Sequence, residues 1–296
     1  RSFGSPGACP SFDYQAACSN PMNGNVKVNA FECTETLPAT APDGPVYFCA
    51  RSADQAVPDI PGNPDQFTGF AEFWTAKEDL SIKLEGGRPL EDLLMAQPLG
   101  TVIWAARHLP PVINKNVVVI GQGPLGLCFT HTLSNLGAKR VIGVDLLDYR
   151  LAVSKRMRAT HTINPSKQDL RAAVLDLTEG KGADFVFEVV GHNQETINTA
   201  IDLAAIRGTV LAFGVPDIET YEIEYNKVFR KNLTLVASVQ PEVHQDFTLA
   251  LDWVDQGRVD LSPLITHKLP FTEAQRGFEL AMNREDNALK VLFDFR

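Results

Sequence analysis

A glycine-rich stretch near the middle of the chain has the residue types and spacing to bind phosphate groups. Residues 117–127 read VVVIGQGPLGL, so branched apolar residues lead into three glycines spaced G-x-G-x-x-G. Gly121 would permit a tight turn out of a strand, and Gly123, which lacks a Cβ, would let a diphosphate approach the backbone. Gly126 would allow the helix that opens at Pro124 to pack closely on the sheet. The N-terminus of that helix would offer unpaired N–H groups and a positive dipole end to an anion.

An acidic residue downstream completes the pattern of a dinucleotide-binding site. Asp145 ends the next predicted strand about 20 residues after the last glycine, where a carboxylate can accept hydrogen bonds from the adenosine ribose. Its charge would repel a 2′-phosphate, so the sequence favours NAD over NADP, and the nearby Arg150 leaves some tolerance for NADP. The competing interpretation is a structural glycine turn followed by an unrelated surface aspartate. The predicted cofactor-binding residues are therefore Gly121, Gly123, Pro124, Leu125, Gly126, Asp145 and Arg150.

Strands and helices alternate from Asn116 onward, as a sheet that positions such a loop requires. Short apolar strands are predicted at 117–120, 141–145, 185–190, 209–215 and 233–239, with a weaker one at 161–163. Strands that are apolar along their whole length and separated by amphipathic helices are typical of a parallel sheet covered on both faces. The predicted fold class is α/β, with a Rossmann doubly wound parallel sheet.

The residues before this region have a different composition. Residues 1–68 are rich in Pro, Gly, Asn, Ser and Asp, which predicts loops with short strands at 25–32 and 45–50. A strand is predicted at 69–76, and residues 89–109 have helical apolar spacing that breaks near Pro98.

The bulk composition excludes several classes of protein. The formal net charge is −9, so at long range the chain repels nucleic acid and anionic membrane surfaces, and neither is an expected partner. No apolar run is long enough for a transmembrane helix, and the first residues lack the pattern of a signal peptide. An odd count of five cysteines at irregular spacing indicates reduced thiols, and we expect a cytoplasmic protein.

Several further stretches are similar to a known family. They are GFAEFW (69–74), GAKRVIGVDLLDYRL (137–151), GADFVFEVVG (182–191), GTVLAFGVP (208–216) and PLITHKLPFTEAQRGFEL (263–280). With the glycine loop, they make the chain resemble the medium-chain dehydrogenase/reductase superfamily, in particular its zinc-type alcohol, polyol and threonine dehydrogenase branch. The resemblance is specific to the superfamily and does not indicate the substrate.

The resemblance implies a domain organisation and a second group of cofactor contacts. Residues 1–115 plus 263–296 would form a reduced, β-rich, GroES-like catalytic domain, and residues 116–262 the NAD-binding Rossmann domain. Val189, Val190 and Gly191 would lie beside the nicotinamide ribose, and Gly214 and Val215 would present backbone groups to the nicotinamide end. These positions agree with the rule that ligands bind at the carboxyl ends of parallel strands. Family members are commonly dimers or tetramers with residues like 233–239 near the subunit contact, so a homodimer or homotetramer is expected.

The residues that hold catalytic zinc in the family are not recognisable in this chain. Zinc members use a cysteine in a G-x-C-G-x-D-like stretch, a histidine in G-H-E, and often the glutamate of an EP pair. Here there is no G-H-E, the EP pair reads Gln97-Pro98, and the cysteines before residue 50 lie in other contexts. Because a neutral amide is a poor zinc ligand, we expect no catalytic zinc.

Without zinc, another group must exchange the proton of the substrate hydroxyl. His192 follows VVG at the end of a predicted strand, and histidine is the commonest general acid/base, so His192 is the candidate catalytic residue. Tyr14 and Asp13 are alternatives that spacing does not separate from it, and His108 and Thr101 are weaker ones.

Three hypotheses of function stay open. The leading one is an NAD-dependent oxidoreductase that transfers a hydride between nicotinamide and a small alcohol or carbonyl substrate. The second is a catalytically inactive NAD-binding subunit with a regulatory or assembly role. The third is an enzyme of the same fold that reduces a carbon–carbon double bond or catalyses a non-redox step, since fold does not fix function.

Overall fold

The computed structural model of the chain describes residues 47–49, 81–84, 88–239 and 241–295. In chain order its strands and longer helices are β1 (Tyr47–Cys49), β2 (Ser81–Lys83), α1 (Leu90–Leu94), α2 (Ala96–Arg107), β3 (Asn116–Ile120), α3 (Pro124–Asn135), β4 (Arg140–Val144), α4 (Asp148–Arg156), β5 (His161–Ile163), α5 (Leu170–Leu177), β6 (Ala183–Glu188), α6 (Gln194–Leu203), β7 (Ala204–Ala212), α7 (Tyr225–Lys231), β8 (Thr234–Ala237), α8 (Thr248–Asp255), β9 (Ile265–Pro270), α9 (Ala274–Asn283) and β10 (Lys290–Asp294). None of the helices in these ranges has the length and apolar composition needed to cross a membrane.

Six parallel strands of the described chain form the central sheet, in the order β5-β4-β3-β6-β7-β8. The chain moves outward from β3 through β4 to β5, returns to the other side of β3 as β6, and moves outward again to β8. The order therefore reverses between β3 and β6, which is the topological switch point of a doubly wound sheet. The predicted α/β fold class with a parallel sheet is confirmed.

The sheet is covered on both faces because successive side chains of each strand point to opposite sides. In β3, Val117 and Val119 join a core that includes residues of α2, α3 and α8. Val118 and Ile120 join a second core with residues of α5 and α6. All four side chains are buried, which explains why the strand is apolar along its whole length.

Four predicted strands extend beyond the observed ones at their carboxyl ends. The predictions ran to residues 145, 190, 215 and 239, whereas the structure ends β4 at Val144, β6 at Glu188, β7 at Ala212 and β8 at Ala237. After β4, β6 and β7 the next N–H, that of Asp145, Val189 or Phe213, still donates to the neighbouring strand, but the regular pairing stops there. The N–H of Val190, for example, donates to the side chain of Glu188 and not to a neighbouring strand. The weaker strand predicted at 161–163 is confirmed as β5.

The predicted helix break near Pro98 lies earlier in the chain. α1 ends at Leu94 and α2 begins at Ala96, so the break is at Met95, and Pro98 lies inside the first turn of α2. Proline is tolerated there because the first N–H groups of a helix have no intrahelical acceptor.

The C-terminal segment forms its own small sheet. β9 and β10 pair in parallel, and α9 connects them and packs against them. The helix lies so close to β10 that Phe293 leaves no room for a Cβ on Gly277 of α9. The short pair β1 and β2 is antiparallel, and β1 falls within the strand predicted at 45–50. The strands predicted at 25–32 and 69–76 lie outside the described residues, and the domain boundaries at 115/116 and 262/263 stay predictions.

His131 is a buried titratable residue on α3, near the edge of the core. Its side chain is almost fully buried, and its Nε2 accepts a hydrogen bond from the backbone N–H of Asp260 at 3.3 Å. Burial lowers the pKa of His131 from its ordinary value of 6.5, and the nearby Arg158 lowers it further. The folded protein therefore holds this ring neutral at a pH where the unfolded chain already protonates it.

We expect the free energy of unfolding to decrease as the pH falls below about 6.5, because the unfolded chain then binds a proton at His131 that the folded chain does not. His131→Gln should make the free energy of unfolding depend less on pH. Urea unfolding between pH 7.5 and pH 5 measures this slope of the free energy against pH. His161→Gln, on the edge strand β5, is the matched control and should keep the wild-type slope. Equal slopes for wild type and His131→Gln would contradict the assignment.

Candidate functional site

The glycine loop joins the end of β3 to the start of α3 with a sharp change of direction. Gly121 has a φ of +90°, a region that favours glycine, and its N–H donates to the carbonyl of Val144 at 2.8 Å. A Cβ on Gly121 would lie 2.9 Å from a methyl group of Val190. The loop therefore lies directly against the residues that follow β6.

Gly126 is required by the packing of α3 on the strand end. A Cβ at this position would lie 1.8 Å from the carbonyl oxygen of Gly121, which no side chain can accommodate. Gly123 is different: its φ is −69°, and the nearest atom to an added Cβ is a guanidinium nitrogen of Arg150 at 3.8 Å. Neither backbone strain nor protein packing demands glycine at 123, so the space above it is available to a ligand.

The N-terminus of α3 faces the same space. Gly123 is the N-cap and Pro124 the first helical residue, and the N-cap makes no side-chain hydrogen bond. The first backbone hydrogen bond of the helix joins the N–H of Leu127 to the carbonyl of Gly123 at 2.9 Å. The N–H groups of Leu125 and Gly126 precede it and have no intrahelical acceptor, so they are available to an anion.

Gln122 occupies a position where the G-x-G-x-x-G pattern allows any residue. Its side chain is buried and stabilises the loop by hydrogen bonds. Its Nε2 donates to the carbonyl of Val119 at 3.0 Å, and its Oε1 accepts a hydrogen bond from the hydroxyl of Thr130 at 2.9 Å. This side chain fixes the loop to both β3 and α3 from beneath. Sequence reasoning missed it because the second residue of G-x-G-x-x-G carries no chemical requirement.

Asp145 lies directly after β4 and is only 7% exposed, so it is not a free surface aspartate. One carboxylate oxygen, Oδ2, accepts from the N–H of Gln122 at 2.8 Å, and the other, Oδ1, accepts from the N–H of Leu147 at 2.9 Å. The Nη1 of Arg150 lies 3.5 Å from Oδ2, and its Nε donates to the hydroxyl of Tyr149. An ionised carboxylate has about four acceptor positions, so this one retains capacity for a ligand hydroxyl.

The loops after β6 and β7 form the other half of the edge. The N–H of Val189 donates to the carbonyl of Ile120 at 2.9 Å, and the N–H of His192 donates to that of Val215 at 2.8 Å. Gly191 has a φ of +68°, and a Cβ there would lie 2.7 Å from the backbone of Val215. These bonds tie β3, β6 and β7 together where the three strands end.

Two large apolar side chains stand exposed at this end. Val190 is 45% and Val215 55% exposed, although both lie a few residues beyond the buried interior of their strands. Gly214, in the loop after β7, packs against the loop after β6, because a Cβ there would meet Glu188 and the backbone of Gly191. Together with the glycine loop and Asp145, all the predicted cofactor residues therefore lie along the carboxyl edge of one sheet.

The candidate catalytic residues lie in different environments. His192 is exposed at this edge with a φ of +52°, a strained conformation for a residue other than glycine that is common at functional sites. The hydroxyl of Thr101 donates to the carbonyl of Pro98, and the Nδ1 of His108 lies 2.8 Å from the carbonyl of Trp104, so both are engaged with their own helix α2. Tyr14 and Asp13 lie outside the described residues.

No metal-binding group is found in the part of the chain that the structure describes. There, no three His, Cys, Asp or Glu side chains come together to hold an ion. Gln97 is the second residue of α2. Cys128, the one cysteine whose side chain is described, is buried, and burial raises its pKa to about 12. The described residues do not form a zinc site, and the expectation about zinc stays a prediction because the side chains of the other four cysteines are not described.

Comparison with known proteins adds independent information. A family model described as zinc-binding dehydrogenase matches residues 124–256. L-threonine 3-dehydrogenase of Bacillus subtilis is 33% identical over 248 residues, which cover 84% of this chain and 68% of that protein. L-threonine 3-dehydrogenase of Caldanaerobacter subterraneus is 32% identical over 213 residues, which cover 71% of this chain and 60% of that protein.

The fold is also found among solved structures. An alcohol dehydrogenase from a Thermus species superposes with a TM-score of 0.68 at 28% identity, covering 74% of this chain and 62% of that one. The chain thus spans about 60% of the length of several relatives it matches. The identity to the Bacillus protein over most of its length shows that this chain belongs to the medium-chain dehydrogenase/reductase superfamily, in its zinc-type alcohol, polyol and threonine dehydrogenase branch.

Proposed function

We propose that this chain binds NAD along the carboxyl edge of its six-stranded sheet and transfers a hydride between the nicotinamide and a small alcohol or carbonyl substrate. The observation that carries the proposal is the open space above Gly123, which adjoins the N-terminus of α3 and the carboxylate of Asp145. When bound, the cofactor supplies the nicotinamide carbon that gives or accepts the hydride. Relatives named as threonine and alcohol dehydrogenases support this class of substrate.

The proposed adenosine and diphosphate contacts follow from the geometry of the loop. The diphosphate lies against Gly123 and accepts from the N–H groups of Leu125 and Gly126. Asp145 accepts from the ribose hydroxyls with the oxygen positions that Gln122 and Leu147 leave open. Its negative charge disfavours a 2′-phosphate, so we propose NAD, with NADP as the weaker ligand.

The proposed nicotinamide end lies at the loops after β6 and β7. Val189, Val190 and Gly191 flank the ribose, and Gly214 and Val215 present backbone and apolar groups to the ring. His192, exposed at the same edge, is proposed to exchange the proton of the substrate hydroxyl. No step of this proposal passes through a metal ion.

The proposal keeps the predicted domain organisation and location. Residues 116–262 bind the cofactor, and residues 1–115 with 263–296 complete the catalytic domain. The odd number of cysteines, of which Cys128 is a free buried thiol, supports a cytoplasmic location.

Gly123→Val should leave the stability of the protein almost unchanged, because the space around residue 123 is open. It should weaken NAD⁺ binding at least about tenfold, because the new side chain fills the diphosphate position. Gly126→Ala is the contrasting variant and should lower the melting temperature, since its Cβ meets a carbonyl oxygen. Calorimetric titration with NAD⁺ and thermal unfolding measure the two effects.

Turnover separates the hypotheses of function. Absorbance at 340 nm, followed with NAD⁺ and a panel of secondary alcohols, polyols and L-threonine, should show reduction of the cofactor. Binding without turnover would indicate an NAD-binding subunit, and turnover only of enones with NADH would indicate a double-bond reductase. Wild-type protein that binds neither form of the cofactor would contradict the proposal.

Asp145→Asn should raise the affinity for NADP⁺ relative to NAD⁺, because it removes the negative charge that opposes a 2′-phosphate and releases Arg150 from its ion pair. The measured quantity is the ratio of the two dissociation constants. Asp184→Asn, at the amino end of β6, removes the same charge away from the site and is the matched control. An unchanged ratio in Asp145→Asn would show that Asp145 does not face the ribose.

We also propose that two copies of the chain associate through the edge strand β8. β8 is the last strand of the described sheet and pairs there only with β7, so its other edge has no partner strand among the described residues. Phe229 and Tyr225 of the adjacent helix α7 are 71% and 67% exposed, and Leu235 of β8 is 42% exposed. Exposed apolar strand edges are usually covered by another chain, which supports a homodimer, or a homotetramer built from such dimers.

Leu235→Lys should reduce the particle mass, measured by light scattering after size exclusion, from a multiple of the 32.5 kDa chain to a single chain. The reason is that a charge on the strand edge opposes pairing with a second copy. Met282→Lys, at an exposed apolar position on α9, is the control and should not change the mass. A single-chain mass for wild type, or no effect of Leu235→Lys, would overturn the proposed interface.

A further inference from the structure

Glu188, the last residue of β6, is a buried carboxylate that the cofactor fingerprint does not include. It is only 4% exposed. Its Oε1 accepts three hydrogen bonds, from the N–H of Val190 at 2.9 Å, the N–H of Gly191 at 3.1 Å and the hydroxyl of Thr196 at 2.8 Å. The carboxylate therefore holds the loop after β6 in place from inside.

The described groups that donate hydrogen bonds to this carboxylate are all uncharged. Among the described residues, no lysine, arginine or histidine forms a salt bridge with Glu188. All three donors to Oε1 are backbone or hydroxyl dipoles, which suits an ionised carboxylate because it only accepts hydrogen bonds. A buried charge paired only with dipoles keeps a field that extends to its surroundings.

The other oxygen, Oε2, lies against Gly214 in the loop after β7. A Cβ on Gly214 would be 2.6 Å from Oε2 and would also meet the backbone of Gly191, so the carboxylate lies directly beneath both loops. Val190 and Val215, the exposed apolar side chains, belong to the same two loops. A cation at this edge would therefore meet a fixed negative charge.

The sheet order places the two ends of the proposed cofactor. Asp145 follows β4, on one side of β3, while Glu188 ends β6, on the other side. If the adenosine lies at Asp145 and the diphosphate at the loop after β3, the nicotinamide lies on the β6 and β7 side. This step rests on the proposed function. The ring carries a positive charge in NAD⁺ and none in NADH.

We propose that the Glu188 carboxylate selects the oxidised cofactor, because its charge attracts the nicotinamide ring of NAD⁺ and not that of NADH. Glu188 thus acts on the balance between the two cofactor forms, in addition to positioning the loop of Val190 and Gly191. Coulomb attraction in a partly shielded protein environment is large enough for roughly a tenfold effect on the ratio of affinities.

Glu188→Gln tests the proposal, since it keeps the size of the side chain and one carbonyl acceptor but removes the charge. Calorimetric titration of the full chain with NAD⁺ and with NADH gives the two dissociation constants. We expect the ratio Kd(NAD⁺)/Kd(NADH) to rise about tenfold. Thr196→Val removes one hydrogen bond to the same oxygen and keeps the charge, so it should leave the ratio unchanged.

A second variant keeps the test decisive if Glu188→Gln does not fold. Thr196→Lys places a cation beside the carboxylate and should raise the ratio in the same direction. A ratio that stays at the wild-type value in the folded charge variants would overturn the role of Glu188 while leaving the proposed function intact. Wild-type protein that binds neither NAD⁺ nor NADH would overturn both.

Discussion

The close approach of α3 to the end of β3 is the constraint on which the rest of the site depends. The helix can lie this near only because Gly126 leaves room for the carbonyl of Gly121. Its first N–H groups consequently face the carboxyl edge of the sheet, at the switch point between β3 and β6. A larger residue at 126 would move the helix outward, and its N–H donors would no longer face the space above Gly123.

Hydrogen bonds between loops make this edge a single preformed unit. The N–H of Gln122 is bound by Asp145, the N–H of Val189 by the carbonyl of Ile120, and the N–H of His192 by that of Val215. Each strand end is therefore held by its neighbour. Because folding has already ordered these loops, a ligand that binds across them has less ordering cost to overcome.

The electrostatics of the edge explain how an acidic chain can present a site for an anionic ligand. The net charge of −9 repels anions at long range, but α3 directs N–H dipoles into a small space at Gly123 that is bordered by the guanidinium of Arg150. The two carboxylates of the edge, Asp145 and Glu188, accept hydrogen bonds from backbone N–H groups. Local dipole geometry, and not overall charge, decides what can bind.

The sequence by itself determined the parallel sheet, the positions of β3 to β8, the glycine loop and the acidic residue after β4, because these depend on local apolar runs and glycine spacing. It placed the ends of β4, β6, β7 and β8 too late, since residue types near a strand end do not mark where regular backbone pairing stops. Only the tertiary structure decided the roles of Gln122 and Glu188. Their partners lie on other elements or across a turn, so the hydrogen bonds that satisfy these buried polar groups exist only once the chain has folded.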